Sequence, residues 1–114
     1  MKRLLLVPLL AFIALTGCSK LDIKPGVPEC ITKKTKDLNK RTPCDEGASV
    51  EEYTFQGKIV YTLYTGDCIT DGGTEVIDSD CNTIGYLGGY PGSKEVNGVE
   101  FSTNATFIRT IWEK

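Results

Sequence analysis

Four aspartates in the C-terminal half are the side chains best placed by spacing for acid–base chemistry. Asp67, Asp71, Asp78 and Asp80 lie close together in the sequence, and a pair of carboxylates is the machinery of glycoside hydrolysis. The 114-residue chain has no histidine, so the commonest general acid and base is absent. The chain is small and these acids fall in loops or turns, where solvated charge is expected. We therefore expect no enzyme activity and keep a carboxylate-pair hydrolase as the third candidate function.

The segment from Asp78 to Asn82 could also hold a cation. Asp78, Asp80 and Asn82 have the alternate spacing with which a calcium loop begins. The match then fails, since Thr83 stands where the sharp turn needs glycine and Gly89 where a bidentate glutamate is expected. Asp, Ser and Asn are typical of turns, and Asn tolerates a left-handed φ angle. The segment predicts a hairpin turn, and we expect no metal and no cofactor.

Three tyrosines are candidates for a binding surface. Tyr64, Tyr86 and Tyr90 could stack on a sugar or on a protein partner, with the glycine-rich loop 88–98 as an adaptable rim. Packing within a sheet is the competing explanation, most of all for Tyr86. A projecting Tyr90 on this loop would favour an inhibitor that enters the cleft of its target.

The cysteines other than Cys18 are candidates for disulfides. Apart from Cys18, four cysteines remain, and an even number in an oxidising compartment predicts two disulfides. Their spacing lacks a C-x-x-C pair, which disfavours a zinc site. Three connectivities are open, and we expect sequential pairing, which closes the two shortest loops. The four residues are Cys30, Cys44, Cys68 and Cys81.

The N-terminus has the pattern of an export signal. Met1-Lys2-Arg3 precedes twelve residues without a charge, too few for a spanning helix, which needs about 20. The following Leu15-Thr16-Gly17-Cys18 resembles the lipobox of bacterial lipoproteins. That resemblance implies a signal peptide over 1–17, acylation of Cys18 and attachment to a membrane, since two or more acyl chains hold a protein on a bilayer. Ser19, rather than an aspartate, implies the outer membrane.

The mature chain predicts an α+β domain with one short helix followed by an antiparallel sheet of about five strands. We interpret residues 18–28 as the acylated cysteine followed by a flexible tether, and residues 29–114 as the domain. A helix is predicted over 29–40 and strands over 52–56, 59–65, 74–77, 83–87 and 103–112, from β-branched, aromatic and alternating residues. In the second strand, Ile59, Tyr61 and Leu63 share the predicted core side.

Charge is divided along the chain. Residues 19–41 contain seven basic and three acidic residues, whereas 42–114 contain four basic and twelve acidic residues. The basic segment adjoins the predicted anchor and could meet anionic headgroups, although a solvated helix face is the simpler interpretation. An acidic exported domain is not expected to bind nucleic acid.

Three segments together resemble an uncharacterised family of small bacterial secreted lipoproteins: EYTFQGKIVY over 52–61, VIDSDCNTIGYLGG over 76–89 and FIRTIW over 107–112. The resemblance implies an envelope location and a compact domain, and it carries no activity or functional residue. We expect a lipid-anchored, non-enzymatic binding or structural module of the cell envelope, with an envelope protein or glycan as partner. The alternative is a small disulfide-stapled inhibitor of an envelope-attacking enzyme such as a lysozyme or a protease.

Overall fold

The computed structural model describes residues 21–70 and 72–114, and the predicted signal peptide and Cys18 lie outside them. One helix is followed by a five-stranded antiparallel sheet, which confirms the predicted α+β class. The elements are α1 (Glu29–Arg41), β1 (Ser49–Phe55), β2 (Lys58–Tyr64), β3 (Gly73–Asp78), β4 (Thr83–Gly88), β5 (Glu95–Val96), β6 (Val99–Glu100), α2 (Phe101–Asn104) and β7 (Ala105–Glu113).

Helix α1 forms where the sequence predicts it. It has no internal Gly or Pro, and it buries Ile31, Thr35 and Leu38, which share one face. Pro28 is the N-cap residue, and at the other end the backbone N–H of Thr42 donates to the Leu38 carbonyl at 3.0 Å. Neither helix in the described part of the chain is both long and apolar enough to cross a membrane.

The sheet has the strand order β4-β3-β2-β1-β7. Strands β1 to β4 form a meander, and the excursion through β5, β6 and α2 carries the chain across to the far edge, where β7 pairs with β1. The tight turn between β1 and β2 places Gln56 and Gly57 at φ 53° and 77°, the left-handed pair that matches the twist of a hairpin. The hairpin predicted at residues 78–82 is present and joins β3 to β4.

Each face of the sheet has its own core. On the helix face, Tyr61, Leu63 and Ile77 pack under Ile31 and Leu38 of α1. On the other face, called the groove face below, a second cluster is buried: Phe55, Val60, Val76, Val96 and Phe101. The prediction that Tyr61 and Leu63 point into a core is confirmed. Val60, on the alternate side of the same strand, is buried as well, because a second layer covers it.

That second layer corrects the prediction of a loop over 88–98. The pair Asn97-Gly98 adopts φ 55° and 76° and closes a hairpin between β5 and β6. This hairpin buries Val96 against the groove face, close to Gly85, where an added Cβ would lie 3.1 Å from a Val96 methyl. The last strand also starts later than predicted, at Ala105, because residues 101–104 form the single helical turn α2.

Residues 21–28, predicted as a tether, lie against the domain. The backbone N–H of Lys24 donates to the Ile111 carbonyl at 2.9 Å, beside β7. Leu21, Ile23 and Val27 are partly buried against the helix-face core. Three apolar side chains spaced through a Pro- and Gly-containing segment are enough to hold it on the sheet without any secondary structure. The folded unit therefore includes residues from 21 onward.

The disulfides join Cys30 to Cys81 and Cys44 to Cys68, so the expected sequential pairing is wrong. Helix α1 spans about 20 Å, at 1.5 Å per residue, and carries Cys30 and Cys44 to opposite ends of the domain. Strand β3 likewise separates Cys68 from Cys81. The Cα atoms of the bonded pairs are 6.3 and 5.5 Å apart, within disulfide range.

Gly66 shows how tightly the second disulfide is packed. A Cβ at this position would lie 2.7 Å from the Cys44 Cβ, and Gly66 has a φ angle of 114°, which side chains rarely adopt. Glycine at position 66 is therefore required for the loop after β2 to approach Cys44.

Candidate binding groove

The open half of the groove face forms a concave site with a volume of about 420 Å³, called the sheet groove below. The layer of β5, β6 and α2 covers the other half of this face, where Phe55, Val60 and Val76 are buried. The volume is within the range of small-molecule sites. The groove is lined by Gly47, Ser49, Glu51, Tyr53, Thr62, Tyr64, Thr74, Leu87 and Phe101.

Strand register places these residues side by side. Ser49 pairs with Tyr64, Tyr64 with Thr74, and Thr74 with Leu87, which gives one continuous row across four strands. Glu51 pairs with Thr62 in the next row. Because side chains alternate along each strand, both rows point to the same face. Apart from Leu87 at the end of the first row, the groove floor is therefore built from hydroxyl and carboxylate side chains.

Aromatic rings form one wall. The Tyr53 ring meets Phe101 edge to face with centroids 5.2 Å apart, and it meets Phe107 in the same way at 5.6 Å. Phe101 is itself anchored against Phe55, with centroids 5.0 Å apart. This interlocked packing fixes the ring of Tyr53 at the side of the groove.

The tyrosine hydroxyls are neutral donors. The Tyr53 hydroxyl donates to Glu51 Oε1 at 3.0 Å, and the Tyr64 hydroxyl donates to Asp67. Burial raises the pKa of Tyr53 to about 12, with further contributions from the Glu51 hydrogen bond and charge. The hydrogen bond to Asp67 is the main cause of the raised pKa of Tyr64. Each hydroxyl oxygen keeps lone pairs with which to accept a hydrogen bond.

Thr62 is the most enclosed polar side chain of the groove. It is 6% exposed, and its hydroxyl has no hydrogen-bond partner among residues 21–70 and 72–114. A buried hydroxyl is usually hydrogen-bonded, so one that lines a cavity is an available contact for a ligand. The groove thus offers a stacking ring, free hydroxyl lone pairs and one carboxylate, the set that suits a ligand with hydroxyl or amide groups.

A family model, Domain of unknown function (DUF6970), matches residues 35–114. The chain belongs to this family. The match begins inside α1, covers every strand and includes all residues that line the sheet groove. Searches of curated proteins and of solved structures found no match.

The structure separates the three tyrosines expected to share a surface. Tyr64 lines the sheet groove. Tyr86 pairs with Glu75, which pairs with Leu63, so Tyr86 lies on the helix face and is 62% exposed. Tyr90, at 88% exposure, projects from a tight loop. Two hydrogen bonds between the backbones of Gly88 and Ser93 close that loop, at 2.8 and 3.2 Å.

The turn after β3 is a hairpin turn. Asp78 Oδ1 accepts hydrogen bonds from the backbone N–H groups of Asp80 and Asn82, both at 2.9 Å, so this carboxylate is used within the turn. Within the turn, Cys81 adopts the left-handed conformation, with a φ angle of 66°. In the part of the chain that the structure describes, no group of three His, Cys, Asp or Glu side chains could hold a metal ion.

The other candidate acids that the structure describes do not converge on one site. Asp67 accepts the Tyr64 hydrogen bond, Asp78 and Asp80 lie in the turn after β3, and Asp71 lies outside the described residues. Sequence reasoning did not single out Glu51 or Thr62, although the alternation of Ser49, Glu51 and Tyr53 places all three on one face. The alternation alone does not show that half of that face stays open.

Tyrosine ionisation gives a pH test of this packing. Tyr61 is almost fully buried and its hydroxyl donates to Glu52 Oε2 at 3.3 Å; burial, followed by the Glu52 charge, raises its pKa to about 12. In the unfolded chain this hydroxyl loses its proton near pH 10. The stability that the Tyr61 hydroxyl contributes is therefore fully present below pH 10 and is lost as the pH rises toward 12. We expect Tyr61→Phe to reduce the slope of unfolding free energy against pH in this window by up to about 1.4 kcal/mol per unit. Urea unfolding at pH 9–12 measures it, and equal slopes would contradict the assignment.

Proposed function

We propose that the protein is a lipid-anchored, non-enzymatic binding module of the cell envelope, held at the outer membrane through Cys18. The observation that carries the binding role is the sheet groove, with Tyr53 at its wall and Thr62 and Glu51 in its floor. Aromatic rings beside hydroxyl and carboxylate groups suit the apolar faces and hydroxyl groups of a sugar. The ligand we propose is therefore an envelope glycan.

The anchor rests on the sequence before the described residues. A charged start, a short apolar run and the Leu15–Cys18 segment support acylation of Cys18. We expect Cys18→Ser to move the protein from the membrane fraction into the soluble envelope fraction, measured by fractionation with and without detergent. Ser19→Ala, next to it, is the matched control and should stay on the membrane. Continued detergent-dependent extraction of Cys18→Ser would refute the anchor.

Glycan binding has a direct probe. Soluble β-1,4-linked N-acetylglucosamine oligomers offer both hydroxyl and amide groups, and we expect them to shift the backbone NMR signals of Glu51, Thr62 and Thr74. Tyr64→Ala should weaken binding about tenfold, the effect of losing one aromatic contact. Tyr90→Ala, on the remote loop, should leave it unchanged. Unshifted groove signals at saturating oligomer would contradict glycan binding in the groove.

An inhibitor is the second candidate, and the Tyr90 loop favours it. This loop is closed by backbone hydrogen bonds and presents an exposed ring, the rigid projecting shape that enters an enzyme cleft at low entropic cost. The same pair of variants separates the two functions. Inhibition of a lysozyme or a protease that Tyr90→Ala abolishes and Tyr64→Ala preserves would establish the inhibitor instead.

A further inference from the structure

Helix α1 presents a charged surface directly opposite its buried face. Ile31, Thr35 and Leu38 point into the helix-face core. At 100° per residue, Lys33, Lys36 and Lys40 fall on the opposite side, and all three are exposed. These three residues are called the lysine stripe below. The sheet anchors one side of α1, so the stripe points away from the domain.

Part of this charge is not neutralised. Lys33 Nζ lies 3.9 Å from Glu29 Oε2, and Arg41 Nε lies 2.9 Å from Asp37 Oδ2, so both acids of α1 are already paired. Lys36 and Lys40 form no ion pair within residues 21–70 and 72–114. They remain available to an external anion.

The remainder of the domain has the opposite sign. Residues 42–114 contain four basic and twelve acidic residues. Glu51 lies in the sheet groove and Asp67 beside it, both bonded to groove tyrosines. The groove lies on the face of the sheet that α1 does not cover. A negatively charged surface would therefore attract the side with α1 and repel the side with the groove.

We propose that the lysine stripe contacts the anionic headgroups of a lipid bilayer and thereby turns the sheet groove away from the membrane. The proposal rests on the anchorage of Cys18, because a few lysines alone give weak and salt-sensitive attachment. Only seven residues separate Leu21 from Glu29, the first residue of α1, and this segment lies against the sheet. An anchored chain would thus keep α1 close to the bilayer, where surface lysines act within a Debye length of about 8 Å. The orientation leaves the groove accessible to ligands in the aqueous space.

Lysine footprinting tests the orientation. The chain isolated from membranes is bound to vesicles of phosphatidylcholine alone or with 30% phosphatidylglycerol, and a water-soluble acylating reagent is applied before mass spectrometry. We expect Lys36 and Lys40 to react at least threefold more slowly on the anionic vesicles, and 0.5 M NaCl to abolish the difference. Lys58 and Lys94, which are exposed and lie off the helix, are internal controls and should react equally on both vesicles. Equal rates for Lys36 and Lys40 on both vesicles would overturn the proposal, as would equal protection of all four lysines.

A variant pair gives an independent measurement. Lys36→Gln/Lys40→Gln should weaken the extra affinity for anionic over neutral vesicles by roughly 30-fold, at the usual contribution of a surface lysine. Lys58→Gln/Lys94→Gln makes the same change in net charge and should leave most of that preference intact. Equal losses in the two variants would mean that net charge, and not the stripe, attracts the bilayer. Capture by neutral vesicles reports the anchor alone, so failure of the anchor is distinguished from failure of the stripe.

Discussion

Removing the disulfide between Cys30 and Cys81 is expected to lower the free energy of unfolding by about 4 kcal/mol. The two residues are 51 positions apart, and a cross-link that closes a loop of this length restricts the unfolded chain strongly. For a domain of this size, the loss corresponds to a fall in melting temperature of roughly 20 °C. The double variant Cys30→Ala/Cys81→Ala, followed by circular dichroism on heating, measures it.

Two further double variants make this test specific to the pairing. Cys44→Ala/Cys68→Ala removes the shorter cross-link, with a separation of 24 positions, and should cost about 3.5 kcal/mol. Cys30→Ala/Cys44→Ala takes one partner from each bond, so it should expose two free thiols and lose the stabilisation of both. A Cys30→Ala/Cys44→Ala protein without free thiols at Cys68 and Cys81 would establish the sequential pairing and contradict the structure.

The lengths of α1 and β3 explain why the number of cysteines does not predict how the disulfides are paired. The number of cysteines predicts two disulfides, but loop-closure entropy only ranks pairings by sequence distance. The three-dimensional constraint is the rigid length of α1 and β3, each of which moves the chain from one end of the domain to the other. The sequence predicts a helix over 29–40, which contains Cys30 and ends four residues before Cys44. Its length of about 18 Å is the signal in the sequence against pairing those two cysteines.

The sheet groove is harder to predict from the sequence than the strands are. Alternation of Tyr53 and Phe55, and the β-branched run through Val60, identify β1 and β2 because side-chain periodicity is local. Which face remains open depends on the β5–β6 hairpin, whose signal was Asn97-Gly98 between two valines. The residue patterns of β1 and β2 alone do not show which half of the groove face is covered and which half is open.

The position of Tyr86 depends on a single extra residue. Val76 pairs with Gly85 and Ile77 with Thr83, so Ile84 is a bulge in β4. A shift of one residue moves every following side chain to the other face of the sheet. The sequence predicts the strand containing Tyr86, but it does not locate the bulge. The grouping of Tyr64 with Tyr86 therefore needed the three-dimensional register.

The second large effect is expected at the ion pair between Glu52 and Arg109 on the helix face. Arg109 Nε donates to Glu52 Oε1 at 2.6 Å, and the Tyr61 hydroxyl donates to the other carboxylate oxygen. The Glu52 side chain is only 10% exposed, whereas that of Arg109 is 37% exposed. Removing the arginine leaves a nearly buried carboxylate with one remaining hydrogen bond. Since water reaches the arginine side, we expect Arg109→Ala to cost about 2–3 kcal/mol, somewhat less than for a fully buried pair.

Arg41 provides the matched control. Its pair with Asp37 has similar geometry, at 2.9 Å, but both side chains are about half exposed or more, so Arg41→Ala should cost at most about 0.5 kcal/mol. Replacing both partners of the buried pair, as Glu52→Leu/Arg109→Leu, should be less damaging than Arg109→Ala alone, because no buried charge is left unpaired. Urea unfolding at pH 7 measures all three variants. Equal costs for Arg109→Ala and Arg41→Ala would show that burial of Glu52 does not strengthen the pair. A double variant less stable than Arg109→Ala would show instead that the ion pair is itself a net source of stability.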